Sequence, residues 1–398
     1  MKTYFRIILI LILFAINIYG QWQQTNYGIQ TNTFSLACNN NFVFAGTDNY
    51  IYFTTNNGNN WIYSFSSPPV NFRSLAVSSN NVIVGTGGRG IFVSSNNGMN
   101  WSQSSMSNGD VYSLISNDTK VFAGFNVGGV FSSTNNGLNW SQTSLNNRSV
   151  WSLTSNGNNI FAGTYDHGVY VSTNNGVSWV QSAMNNLIVY SLAAIGNNIF
   201  AGTYGNGVYL TTDNGINWIN TSLNNRTVYT LSVISGRIFA GTSNNGVYQS
   251  SDNGVNWYEY NEGLPSGSYV RSMLITNSCI FAGTSQHVWR RTNQYVGLQA
   301  ISSEMPDYFS LSQNYPNPFN PQTKIKFAVP ANVKGQTSNV KLIVYDLLGR
   351  EVATLVNEEL RPGTYEAEWD GSNYSSGVYF YKLVAGDFVE TKKMVLMK

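Results

Sequence analysis

Asn159-Ile-Phe-Ala-Gly-Thr-Tyr-Asp-His-Gly-Val-Tyr-Val-Ser-Thr-Asn-Asn-Gly-Val-Ser-Trp179 recurs, with substitutions, along most of the chain. The glycine of its Phe-Ala-Gly-Thr core stands at Gly46, Gly85, Gly124, Gly163, Gly202, Gly241 and Gly283; the first six copies are 39 residues apart and the last step is 42. A fixed period of about 40 residues with several short strands per unit predicts a β-propeller rather than a solenoid of helices.

Each unit divides into four strand-like pieces. In the second copy these are 72–78, 81–86, 90–95 and 99–104, separated by Ser79-Asn80, Gly87-Gly88-Arg89 and Asn96-Asn97-Gly98. Their cores are apolar over consecutive positions, as sheets covered on both faces by neighbouring blades require. The small Ala-Gly pair suits close backbone approach. A tryptophan ends the unit at 61, 101, 140, 179, 218 and 257, but the seventh copy lacks it. Trp22 lies 39 residues before Trp61, and Trp22-Gln-Gln-Thr25 matches Trp140-Ser-Gln-Thr143. The N-terminal segment is therefore expected to supply the outer strand of the last blade, closing a seven-bladed ring and removing its open edges.

Two of the turns, Thr211-Thr-Asp-Asn-Gly-Ile-Asn-Trp218 and Ser250-Ser-Asp-Asn-Gly-Val-Asn-Trp257, resemble the Asp-box (bacterial neuraminidase) repeat. Asn56, Asn96, Asn135 and Asn174 take the Asp position in the other four copies. The resemblance covers roughly 21–293, and the repeats are also similar to those of photosystem II assembly-factor propellers. The box reads as a structural device: Asp or Asn binds turn N–H groups, Gly takes positive φ, and Trp packs back on the sheet.

The two ends differ from this middle. Residues 1–20 read as a secretory signal: Lys2 and Arg6, then an apolar stretch over 7–18, then Gly20. Residues 294–310 read as a polar connector. From Leu311 the repeat is gone and strands are expected over 340–346, 363–370, 377–385 and 389–397, which alone predicts a small Ig-like β-sandwich. Tyr315-Pro-Asn-Pro-Phe-Asn-Pro321, Tyr345-Asp-Leu-Leu-Gly-Arg350, Trp369-Asp-Gly371, Gly377-Val-Tyr-Phe380 and the basic end Lys392-Lys393…Lys398 resemble the type A C-terminal sorting domain of type IX secretion. That resemblance implies an exported protein of a Gram-negative cell, secreted or held at the outer surface. Its residues 311–398 would engage the secretion machinery.

Only 10% of the 398 residues are charged and the formal net charge is +2, so no field points to nucleic acid or an anionic membrane. No second segment is apolar enough to span a bilayer, and a monomer is expected. Cys38 and Cys279 fall in the first and seventh copies, neighbours in a closed ring; they could staple it or remain two small core thiols. No metal or cofactor set is visible, since His167 and His287 stand far apart in the chain.

Because strands alternate in direction, the loops after the second and fourth strands share one face. They carry Arg89, Phe125, Arg148, Tyr165, Asp166, His167, Tyr204 and Arg226, a candidate set for binding a glycan or a protein. A sialidase would need, by its family's pattern, an early Arg-Ile-Pro-like motif, an arginine cluster and a Tyr–Glu pair. The motif is absent, and the repeat region's glutamates are Glu259 and Glu262 alone, before the last blade. Another glycoside hydrolase would need two flanking carboxylates, and Asp48, Asp110 and Asp166 are the candidates. A binding module is the favoured reading, a hydrolase the first alternative, and a structural or assembly protein the second.

Overall fold

In the computed structural model the described residues are 21–398 apart from 26–27, 40–41, 118–119, 235, 277, 294–298, 303–305, 331–337, 361 and 372–373. The signal segment and parts of the expected connector lie outside them. Every regular element among the described residues is a strand.

The repeat region forms seven antiparallel blades. Blade 4 shows the pattern: Val150–Asn156 innermost, then Asn159–Thr164, Val169–Ser172 and Val180–Gln181 at the rim. Blades 1 and 2 share one six-stranded sheet, because the strand Ile62–Ser78 pairs with Phe53 at its start and with Asn81 at its end. Successive innermost strands touch all the way round, and Val270–Ile275 returns to Thr33–Asn39. Blade 7 takes its outer strand from the N-terminus, with Gln23 opposite Arg290 and Gln24 opposite Trp289. The ring closes as the 39-residue offset of Trp22 predicts.

The second strands are buried along nearly their whole length, and this is where the repeat's small residues act. A Cβ on Gly163 would lie 2.3 Å from Ser152 Oγ in its own blade and 2.6 Å from Val189 Cγ1 in the next. A side chain there would push two blades apart.

The turn at the end of the third strand is built from its own side chains. In blade 2, Gly98 N–H donates to Ser94 Oγ at 2.8 Å, and Asn100 N–H donates to Asn96 Oδ1 at 2.9 Å. Asn97 (φ 54°) and Gly98 (φ 81°) are both left-handed, which explains the Asn-Gly pair and goes beyond the glycine alone. Asp213 does the same work in blade 5, accepting from Asn217 N–H at 2.9 Å and from its side chain at 2.8 Å. These donors, the Asn217 N–H first, hold the Asp213 carboxyl below its ordinary range. Because the turn reaches residue 100, the outer strand of blade 2 is only Ser102–Gln103, shorter than the stretch 99–104 expected for it. The tryptophan then reaches back one blade: Trp101 Nε1 donates to Ser64 Oγ, Trp218 to Ser182 Oγ and Trp257 to Thr221 Oγ1, at 3.1–3.2 Å. Trp61 finds the equivalent hydroxyl on Thr25, in the N-terminal strand. Cys38 and Cys279 are free thiols in one apolar cluster with Trp61 and Phe281, and burial pushes both up in pKa.

The C-terminal region is a two-sheet sandwich. Ser310–Leu311, Gln322–Val329, Gly363–Asp370 and Gln299–Ser302 form one sheet; Glu351–Leu360, Ser338–Tyr345, Gly377–Ala385 and Phe388–Leu396 form the other. The strand Gln299–Ser302 falls inside the stretch read as a connector: it pairs with Gly363–Asp370, so backbone pairing overrides its polar composition. The Pro-Asn-Pro-Phe segment is pinned between the sheets. Phe319 is buried at 5.4 Å from Trp369, Asn314 N–H donates to Tyr381 Oη at 2.8 Å, and Tyr381 Oη donates to Ser312 O at 2.9 Å.

Candidate functional site

Every innermost strand of the ring has the same irregularity. The pairing register skips one residue between Thr33 and Ser35, Phe72 and Ser74, Val111 and Ser113, Val150 and Ser152, Val189 and Ser191, Val228 and Thr230, and Val270 and Ser272. A bulge re-aims the extra side chain. Here it does so seven times at one level of the ring, at the end of the channel from which the variable loops rise.

The residues so placed are Phe34, Arg73, Tyr112, Trp151, Tyr190, Tyr229 and Arg271, all half-buried. They touch in succession. Tyr112 and Trp151 stack nearly parallel (3°) at 5.0 Å, Trp151 meets Tyr190 at 5.2 Å, Tyr190 meets Tyr229 at 4.8 Å, and Tyr229 meets Tyr269 at 4.7 Å. Arg73 lies 4.4 Å over Tyr112. Arg271 lies 4.5 Å over Tyr269 and 5.4 Å over Phe34. The result is an aromatic collar with two guanidiniums, running round the channel mouth from Phe34 through Arg271 to Arg73. Burial pushes the Tyr190 phenol up to about 12, with Tyr229, Tyr204 and Tyr165 adding to it, and burial also raises Tyr229. Tyr190 and Tyr229 are therefore neutral hydrogen-bonding groups at physiological pH.

Of the residues expected on this face, two join the collar. Tyr165 packs 4.7 Å from Trp151 and Tyr204 lies 6.1 Å from Tyr190, and both remain exposed. Asp166 and His167 face each other in the same loop, Oδ1 to Nδ1 at 2.6 Å. Arg89 is exposed, and its carbonyl accepts from Gln103 Nε2. Arg148 and Arg226 turn onto the third strands instead: Arg148 lies 5.6 Å over Tyr170 and its Nε donates to Tyr170 Oη, while Arg226 lies 5.8 Å over Tyr248. Phe125 is not a surface residue. It is 3% exposed and packs 4.8 Å from Phe131, because an apolar ring ending a fully buried second strand is drawn into the core. Asp48 accepts from Asn32 Nδ2 at 2.9 Å, and Asp166 is engaged by His167. A polar cleft of about 320 Å³ on the opposite face, lined in part by Ser78, Asn117, Lys120 and Asn136, has no aromatic or carboxylate, and Lys120 Nζ already donates to Asn175 O.

The collar's seven bulge residues stand on strands, outside the variable loops in which the sequence predicts the site. Their signal is periodic: positions 34, 73, 112, 151, 190 and 229 are 39 apart and follow the first buried residue of each innermost strand. Nothing in the strand pattern marks that position as a bulge.

Residues 313–397 match the family described as the secretion system C-terminal sorting domain. No curated protein matches the chain in sequence. Among solved structures, the repeat region is similar to YCF48 from Cyanidioschyzon merolae at 13% identity and TM-score 0.56, covering 69% of this chain and 98% of that one. A structure of YCF48 bound to D1 peptide gives 13% identity and TM-score 0.57, with 69% and 96% covered. The extracellular domain of the putative one component system BT4673 from B. thetaiotaomicron gives 12% identity and TM-score 0.51, with 95% and 59% covered. Such identities carry the fold alone. The chain thus joins a closed seven-bladed β-propeller to a C-terminal sorting domain of type IX secretion.

Proposed function

We propose that this protein is an exported binding module whose ligand, a glycan or a segment of another protein, sits on the loop face over the collar. The observation that carries the reading is the run of ring contacts from Tyr112 to Tyr269, which builds a semi-apolar platform with polar edges at the mouth of a rigid ring. Tyr165 and Tyr204 extend that platform outward. The YCF48 structure with a peptide supplies a precedent, on this fold, for a protein segment as ligand. The mature protein begins after the 1–20 signal and acts at the surface of a Gram-negative cell or in its medium. A glycan array and a surface-protein pull-down with residues 21–398 test this, followed by the double change Trp151→Ala, Tyr190→Ala. Binding lost in the double variant supports the reading. Binding indifferent to it moves the site off the collar, and turnover of a bound glycan replaces the module by a hydrolase.

A further inference from the structure

Two of the seven bulge positions depart from the aromatic pattern, and they flank Phe34: Arg271 in blade 7 and Arg73 in blade 2. Their surroundings differ from those of Arg148 on the same face. Arg148 spends its Nε on Tyr170 Oη. The Nε atoms of Arg73 and Arg271 are buried with no acceptor in reach. Among the described residues neither guanidinium forms an ion pair, although Asp48 and Asp110 belong to the same face. The loop backbone closes down on Arg73 as well, since a Cβ on Gly87 would lie 2.9 Å from its Nε. Both guanidiniums thus lie over rings, Arg73 at 4.4 Å from Tyr112 and Arg271 at 4.5 Å from Tyr269, each with its Nε buried and unpaired. That is costly unless something else supplies the anion.

We infer that the collar recognises a carboxylate-bearing saccharide of the uronate class. This deepens the binding-module reading above and rests on it. Planar guanidiniums pinned by cation–π contacts suit bidentate carboxylate recognition. The arc from Tyr112 to Tyr229 packs ring against ring, so it offers ring edges for the apolar side of sugar rings and phenol hydroxyls for their hydroxyl groups. A uronate oligomer presents one carboxylate per ring, so Arg73 and Arg271 need not share one. Isolated cations between aromatic rings, in a propeller whose single lysine is Lys120, do not suit a polyphosphate backbone.

The test is calorimetric titration of residues 21–398 with oligogalacturonate and with its methyl ester, which keeps the sugar rings and removes the charge. The acid is expected to bind at least ten-fold more tightly than the ester, and to weaken as salt rises. Arg73→Gln with Arg271→Gln should abolish that difference, weakening the acid at least ten-fold more than the ester. Arg73→Lys with Arg271→Lys, the milder pair should either Gln variant fail to fold, should fall between. Equal binding of acid and ester overturns the uronate inference and leaves the module reading standing. An acidic peptide that binds with the same arginine dependence, where the uronate does not, replaces the saccharide by a protein ligand. Failure of both saccharides and of the peptide sinks the uronate inference, and a silent glycan array with an empty surface-protein pull-down sinks the module reading as well.

Discussion

Trp22→Ala should open the ring. Trp22 is 2% exposed, packs edge-on against Tyr260 at 6.2 Å, and its Nε1 donates to Tyr260 O at 2.6 Å. Truncating a buried tryptophan costs about 3–5 kcal/mol in cavity and lost transfer. The lost hydrogen bond adds about 1 kcal/mol. The strand it anchors also holds Thr25, whose N–H donates to Val288 O at 3.0 Å and whose hydroxyl receives Trp61 Nε1. A loss of roughly 4–6 kcal/mol would therefore spread into blade 1. With a melting shift of about 2–4 °C per kcal/mol for a domain of 150–250 residues, the propeller transition should fall by on the order of 10–20 °C. Chemical denaturation and scanning calorimetry of residues 21–398 would measure it, with Trp101→Ala, at a half-buried equivalent inside the ring, as the comparison. A cost below about 0.5 kcal/mol, the size of an ordinary surface change, would show that the N-terminal strand is not an integral part of blade 7. A peptide spanning 21–25 should restore part of the lost stability to a chain beginning at residue 26.

Three further outcomes follow from the geometry. Gly163→Ala should destabilise by about 1–3 kcal/mol by equilibrium denaturation, since its Cβ meets both Ser152 Oγ and Val189 Cγ1; an unchanged midpoint would mean that the blades can part freely. The Asp213 carboxyl is depressed on folding, so its contribution is complete above the unfolded value of about 3.9 and is lost as pH falls through the lower folded value. Asp213→Asn should thus flatten the acid limb of stability below about pH 4, and an acid profile identical to the parent's would contradict the assignment. Deleting 313–397 should leave the propeller folded but retained inside the outer membrane, as cell fractionation would show; export without the tail would refute its role.

The periodic glycines, the boxes and the displaced Trp22 make the ring, its blade count and its closure legible in the sequence, because each is a local device repeated at a fixed spacing. The sorting domain was legible for a different reason: its Tyr-Pro-Asn-Pro-Phe and Asp-Leu-Leu-Gly-Arg segments turn on their own residues, as Asp346 shows by accepting from Leu348 and Arg350 N–H and pairing with Arg350 Nε. The strand over Gln299–Ser302 was not legible, because it is made by a partner more than 60 residues further on.

The functional face divides the same way. Sequence alone placed Tyr165 and Tyr204 on the variable side, since alternating strands fix which loops share a face. Phe125 is expected in a loop, yet the 39-residue spacing aligns it with Thr164, the buried last residue of the second strand, one place before the position of exposed Tyr165. Sequence alone could not find that seven innermost strands each skip one residue. A bulge depends on register against a neighbouring strand, and a collar depends on seven blades meeting around one axis. Only the closed tertiary structure brings Phe34, at one end of the repeat, beside Arg271, at the other.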